Sequence, residues 1–481
     1  VVISALACAV ALSAVDDPPP AQREFRGVWV ATVDRIDWPP KDSTAEVQQK
    51  TALIAIMDRA AALHMNAVIF QVRPMGDALY DSPYEPWSEF LTGVQGRAPS
   101  PMWDPLSFAV EEAHKRGMEL HAWFNPYRVW HPAAKGQPAA NSLPRTHPNW
   151  VRSYGKLEWL DPGDPNARSW SEKVVEDVVR RYDVDGVHID DYFYPYPIRD
   201  ANKQDIPFPD DSTYARYRGA GGSLDKLAWR RENINKLVSE LYRGVKKIKP
   251  WVKFGISPFG IYRPGIPSSI VAGIDQYNAL ASDPVKWLQE GWCDYLTPQL
   301  YWKIEKPAQS YPVLAKWWAS QNVKGRHLWI GNNASEVSSA WPVQELIDQI
   351  AVTRKTAGAE GNIFFSMAPF MRNSKNLDDV LLGGPYRELA LVPRSPWLKS
   401  SSPGKPRTKR VRGEVVVAKG SSDTFRFSIY TKSGNAWQLA QILPASTELR
   451  IVPSSFQGVS EIAIAGLDRD WNESVKAVVK F

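Results

Sequence analysis

Between Phe25 and about Gly384, short apolar runs alternate eight times with amphipathic segments, and no other feature of the chain constrains its fold so strongly. The runs read FRGVWVATV, AVIFQVR, ELHAWFN, GVHIDD, FGISP, YLTPQLY, LWIGN and IFFSM. Strands separated by helical intervals of this kind pair in parallel, with the helices as crossovers. Helix starts are punctuated at Asp104-Pro105, Asp164-Pro165 and Asp283-Pro284, where an N-cap precedes a first-turn proline. Ser43 and Glu46 have capping-box spacing, and Gly117 and Gly291 supply stops. Eight strand–helix units, with long insertions after strands two, three and four, predict a (β/α)8 barrel of TIM type over residues 22–390. Its active site is expected on the loops at the C-terminal ends of the strands. An open doubly wound sheet is the competing topology, but no glycine fingerprint follows the first strand.

The chain's 481 residues exceed what one core serves. Residues 391–412, rich in Pro, Ser and basic side chains, read as a linker. Residues 413–481 alternate β-formers between turn residues, which predicts a small all-β sandwich of immunoglobulin or fibronectin type III kind. At the other end, residues 1–15 (VVISALACAVALSAV) have the apolar character of an export signal, which predicts a periplasmic or envelope location. Cys8 in ALAC is a weak lipobox and raises the prospect of a lipid anchor. Cys293 would then be the one cysteine of the mature chain, so no internal disulfide is expected.

Composition narrows the chemistry. A net charge of +6 is spread along the chain and not gathered into a stripe, so nucleic acid is not an expected partner. The 21 Trp are many, and flat rings of this kind stack on the apolar faces of sugars as well as filling cores.

Strand alternation then selects residues. In GVHIDD, Gly186, His188 and Asp190 share one face and Val187 and Ile189 the other, so His188 and Asp190 point into the barrel and Asp190 falls at its mouth. Asp191 either joins it or turns outward as a loop cap. The same alternation brings Gln71 and Arg73, then His121, Trp123 and Asn125, then Thr297, Gln299 and Tyr301 toward that mouth. Tyr127, Arg128, Tyr192, Tyr194, Tyr196 and Trp302 follow on adjoining loops. Such a basin of carboxylate, amide, hydroxyl and ring faces suits a polyhydroxylated substrate, and no phosphate cradle or serine-hydrolase elbow is present. His121, His188 and Asp190 lack metal-ligand spacing, so neither a metal nor any other cofactor is expected.

The stretches REFRGVWVATVDRIDWP, FQVRP, AWFNPYR, WLDPGDPNAR, DGVHIDDYFYP, GISPFGIYRPG and YLTPQLYW together resemble the glycosyl hydrolase-like 10 family of bacterial envelope proteins. The resemblance covers nearly all of the barrel. It implies an exported glycosidase of cell-wall glycan, acting on peptidoglycan strands stripped of their peptides, with Asp190 as a catalytic carboxylate. It also implies a C-terminal fibronectin-like domain that could meet an envelope or cell-division protein. Family 18 chitinases are a poorer match, because Tyr192 stands where their acid glutamate belongs. By analogy with amylase-like barrels Asp190 is nucleophile or cation stabiliser, and Asp191, Asp161, Asp275, Glu305 and Glu336 compete for the acid role. Two other readings stand beside this one: a non-catalytic glycan-binding scaffold, and a glycosidase of a different envelope polysaccharide.

Overall fold

The computed structural model describes residues 17–445, 448–452, 456 and 458–481. The predicted leader and Cys8 lie outside the described residues. Eight strand positions follow one another around a ring: β1 (Phe25–Val30), β2 (Ala67–Arg73), β3 (Glu119–Phe124), β4 (Gly186–Ile189), β5 (Lys253–Ile256), β6 (Tyr295–Leu296), β7 in two pieces (His327–Leu328 and Ile330–Asn333) and β8 (Gly361–Phe365). All neighbours pair in parallel. β7 closes the barrel, its first piece pairing with β6 and its second with β8, which in turn pairs with β1. A helix follows each strand: α1 (Glu46–Ala62), α2 (Pro105–Lys115), α3 (Pro165–Arg181), α4 (Lys226–Ile248), α5 (Pro284–Glu290), α6 (Tyr311–Gln321), α7 (Val343–Lys355) and α8 (Leu377–Gly383).

Asp104, Asp164 and Asp283 cap α2, α3 and α5 through their carboxylates, which accept from the N–H groups of Ser107, Asn166 and Lys286. The capping box at Ser43 does not form. Ser43 Oγ accepts from the Ala45 N–H at 3.1 Å, and α1 starts only at Glu46, which pairs forward with Lys50.

Outward strand residues such as Val28, Val68, Leu120, Val187 and Phe254 join the helices in one apolar cluster. Inward residues are mostly rings: Phe25 stacks on Trp329 with centroids 3.5 Å apart, and Trp329 on Tyr295 at 4.4 Å. Glycines make room for them. A Cβ at Gly186 would lie 2.4 Å from the His121 ring, and one at Gly255 2.0 Å from the Tyr295 ring. Below the rings is an ionic floor, in which Lys253 Nζ and the Trp471 indole N–H both donate to Glu119 Oε1, at 2.5 and 2.6 Å.

The chain divides into two compact units. The barrel unit takes Gln22–Ser401 and Asp468–Asn472, so it continues past residue 390 into the predicted linker. The cause is visible in its contacts: Leu391 exchanges backbone hydrogen bonds with Gln22 and Glu24, and the Trp397 indole donates to Asp294 at 2.8 Å. The smaller unit includes Ser402–Leu467 and Glu473–Phe481. It contains two antiparallel sheets. One pairs β9 (Arg407–Val411), β10 (Glu414–Ala418) and β13 (Leu449–Ile451); the other orders β12 (Ala436–Pro444), β11 (Arg426–Ser433), β14 (Glu461–Leu467) and β15 (Ala477–Lys480). Alternate residues Val415, Val417, Phe427, Ile429, Ile462 and Ile464 form its core. β9 also falls inside the predicted linker.

Candidate active site

β4 ends at Ile189, and the next two residues, Asp190 and Asp191, both line a cavity of ≈ 200 Å³ at the barrel mouth. Trp29, Trp123, Tyr192, Tyr301 and Phe365 give it aromatic walls, and Gln71, Arg128, Ser257 and Gln299 its remaining polar edge. Asp191 is therefore not an outward loop cap. Asp190 is 4 % exposed and Asp191 3 %.

Asp190 is held mainly from β3. Its Oδ2 accepts the Trp123 indole N–H at 3.0 Å and the Asn125 amide at 3.2 Å, and its Oδ1 accepts the Tyr192 N–H at 3.3 Å. Asn125 is oriented in turn, because its Oδ1 accepts the Arg128 N–H at 2.8 Å. Asp191 has different supports: the Tyr196 hydroxyl donates to it, and the Gln299 side chain, which donates to Ser257 O at 2.9 Å, lines the same cavity. Burial pushes the Asp190 carboxyl up to about 7, with Arg128 pulling down and Asp191 pushing up further. Burial also raises Asp191, against the hydrogen bonds of Tyr196 and Gln299 and the charge of Arg128. Arg128 is the cation of the site. Its Nε donates to Pro74 O at 2.9 Å, its guanidinium lies over the Tyr192 ring at 5.2 Å, and it makes no ion pair among the described residues.

Beneath the cavity a hydrogen-bonded chain fixes proton positions. An indole N–H can only donate, so His188 Nε2, 3.1 Å from Trp29 Nε1, is an acceptor and the proton sits on Nδ1. That Nδ1–H donates to the Tyr295 hydroxyl at 3.0 Å, which donates to His121 Nδ1 at 2.8 Å, and His121 Nε2–H donates to Glu119 at 2.9 Å. Burial holds His188 well below its ordinary value, so it is neutral.

Several residues expected at the mouth lie elsewhere. His121 belongs to the barrel floor, and His188 reaches the cavity only through Trp29 and Ser257, whose Oγ is 2.9 Å from Nε2. Arg73 is 1 % exposed and clamped bidentately by Glu85 at 2.7 and 2.5 Å, with a further bond to Asn125 O at 2.5 Å. It cannot grip a substrate carboxylate; a buried partner twelve residues away has already taken its fork. Tyr127 is wholly buried, Tyr194 faces Asp210 and Arg230, and Trp302 packs edge-on against Phe259. Gln71 does line the cavity: its Oε1 accepts the N–H groups of Thr32 and Val33, and its buried Nε2 has no hydrogen-bond partner among the described residues. Of the competing acids, Asp161 is held by Arg152, Gly163 and Thr213, and Asp275 by Arg263 and Asn278. Glu305 and Glu336 are likewise not among the cavity's lining residues. Trp29, Ser257 and Phe365 were not singled out from the sequence, although Trp29 shares the inward face of β1 with Gly27 and was legible by alternation.

With this geometry established, comparison places the chain. The family model described as "Glycosyl hydrolase-like 10" matches residues 24–377. The chain belongs to the glycosyl hydrolase-like 10 family. Among curated relatives, glycosyl hydrolase YngK of Bacillus subtilis is 42% identical over 437 residues, covering 86% of this chain and 84% of the relative. Glycosyl hydrolase DigH of Escherichia coli K12 is 38% identical over 385 residues, covering 72% and 85%. Among solved structures, the catalytic domain of a Paenibacillus polymyxa β-amylase superposes with a TM-score of 0.50 at 12% identity, over 76% of this chain and 98% of that one, which bears on the barrel fold alone. Family membership makes the chain a glycosidase.

Proposed function

We propose that this glycosidase is exported and cleaves bacterial cell-wall glycan, acting on peptidoglycan strands freed of their peptides. The observation that carries the reading is the pair Asp190 and Asp191, side by side in one aromatic-walled cavity at the barrel mouth. Two buried like charges resist joint ionisation, so the pair keeps one proton. We assign that proton to Asp190, whose carboxyl burial raises to about 7. Asp190 then protonates the departing glycosidic oxygen, and Asp191, with the Tyr196 hydrogen bond favouring its anion, faces the positive charge that develops at the anomeric carbon. In this reading the nucleophile or stabiliser role expected of Asp190 passes to its neighbour. The aromatic walls supply stacking surface for a pyranose, and Arg128 supplies a cation for the lactyl carboxylate that a stripped muramic acid exposes. The leader-like residues 1–15 support export, and the smaller unit is assigned to docking on an envelope or division partner.

Incubating the protein with peptide-free glycan strands and weighing the products by mass spectrometry tests the proposal. Shorter fragments that vanish in Asp190→Asn are expected. Intact strands after prolonged incubation would overturn it and favour a binding scaffold.

A further inference from the structure

Loops after β3, β4 and β5 enclose a second depression of ≈ 620 Å³ that the chemistry above leaves unused. Tyr196 links it to the catalytic cavity: the residue lines the groove, and its hydroxyl donates to Asp191, which lines the cavity. On the far side stand Ile206 and Leu227, large aliphatic side chains that are 39% and 43% exposed. The cations of the groove are paired, Arg230 with buried Asp210 at 2.6 Å and Arg199 with Asp205 at 3.1 Å on the surface, and the carboxylate of Asp275 lies 3.4 Å from Arg263. What remains is aromatic and aliphatic surface with neutral polar edges. Such a surface complements the CH faces and uncharged hydroxyl or acetamido groups of a sugar chain.

We infer that this groove is an extended subsite that binds the continuation of the glycan beyond the bond being cut. The inference rests on the glycan-cleaving function proposed above. Continuity commits the occupant: a polymer whose reacting sugar sits beside Asp191 must leave a ≈ 200 Å³ cavity, and Tyr196, whose hydroxyl donates to Asp191, lines the start of the groove. Because the cations here are paired, the groove's contribution is independent of substrate charge, unlike that of Arg128.

The test is the double variant Ile206→Ser/Leu227→Ser, with Val323→Ser, an exposed aliphatic outside the groove, as control. Losing the cover of two half-exposed aliphatic side chains should lower kcat/KM on long peptide-free strands about tenfold, through KM, and lower that on the shortest cleavable fragment far less. The same length-dependent loss is expected with neutral N-acetylglucosamine oligomers in place of muramic strands. Equal losses on long and short substrates, no loss on either, or a loss confined to charged strands would overturn the inference. Calorimetric binding of long and short glycans to Asp190→Asn, with and without the double variant, gives a readout that needs no turnover. Absence of cleavage by the unaltered protein would sink the proposed function, while the binding comparison would still decide the groove.

Discussion

Replacing Asp190 with Asn should abolish turnover and stabilise the protein, and both effects come from the same buried charge. Asparagine keeps the shape of the side chain, and its carbonyl can accept the Trp123 indole N–H now 3.0 Å from Oδ2. The stabilisation depends on pH in a way that can be worked out in advance. Burial raises the carboxyl from 3.8 to about 7. Below pH ~4 the aspartic acid is protonated in both folded and unfolded chains, so the charge contributes nothing. Between ~4 and ~7 the unfolded chain releases its proton while the folded one retains it. Over that window wild type loses about 1.4 kcal/mol per pH unit relative to the amide. Above ~7 both states are ionised and the difference levels off, at about 4 kcal/mol. The amide's NH2 group adds a constant offset, so the slope is the decisive quantity. Denaturant unfolding of both proteins at pH values from ~4 to ~8 measures it. A difference that stays flat across that range, or that turns against the variant as pH rises, would refute the electrostatic account of the site.

Other consequences follow from the same contacts. With Asp190 as proton donor, kcat/KM should fall tenfold per pH unit above about 7, and a rate that holds level to pH ~9 would remove Asp190 from that role. Arg73→Gln strips the partner from buried Glu85 and should cost about 3–5 kcal/mol of stability, read as a lowered unfolding midpoint, with equal activity losses on charged and neutral glycans. Arg128→Gln should spare stability far more and selectively raise the barrier for peptide-free strands over N-acetylglucosamine oligomers by ~1.5–3 kcal/mol, the worth of a charge-assisted hydrogen bond. Gly255→Ala places a methyl 2.0 Å from the Tyr295 ring and should cost at least ~1–3 kcal/mol, whereas Gly219→Ala, with nothing within 4 Å, should be nearly neutral in the same unfolding assay.

The barrel was legible because each strand carries its own period-two pattern and each helix its own punctuation, both local properties. The same rule put Asp190, Trp123 and Asn125 on the inward face correctly. It misled at Arg73, since alternation gives a direction but not the partner waiting there, and Glu85 lies in an irregular insertion that no periodicity describes. It misled at His121 for another reason: inward residues stack in layers, and a residue one layer down faces the floor and not the substrate. β9 was missed because its residues are largely exposed and basic, so no apolar face marks Arg407–Val411 as a strand. The capping box failed because three-residue spacing is only permissive, and Ser43 closes its own short turn before α1 begins.

The harder question is how two successive residues come to serve one cavity with different supports. On a continuing strand Asp191 would face away from Asp190. β4 stops at Ile189, and the backbone leaves strand geometry in time to bring both carboxylates to the mouth. Their supports then diverge, Asp190 leaning on β3 through Trp123 and Asn125, Asp191 on its own loop through Tyr196. Neutral His188 underneath adds no positive charge that would favour ionising either carboxylate, since Trp29 fixes its tautomer. Arg128 is thus the only cation among the described residues lining the cavity, and its charge lowers both carboxyls against their burial. In the proposed mechanism the two acids share one proton, which is the condition that acid-assisted glycosidic cleavage requires.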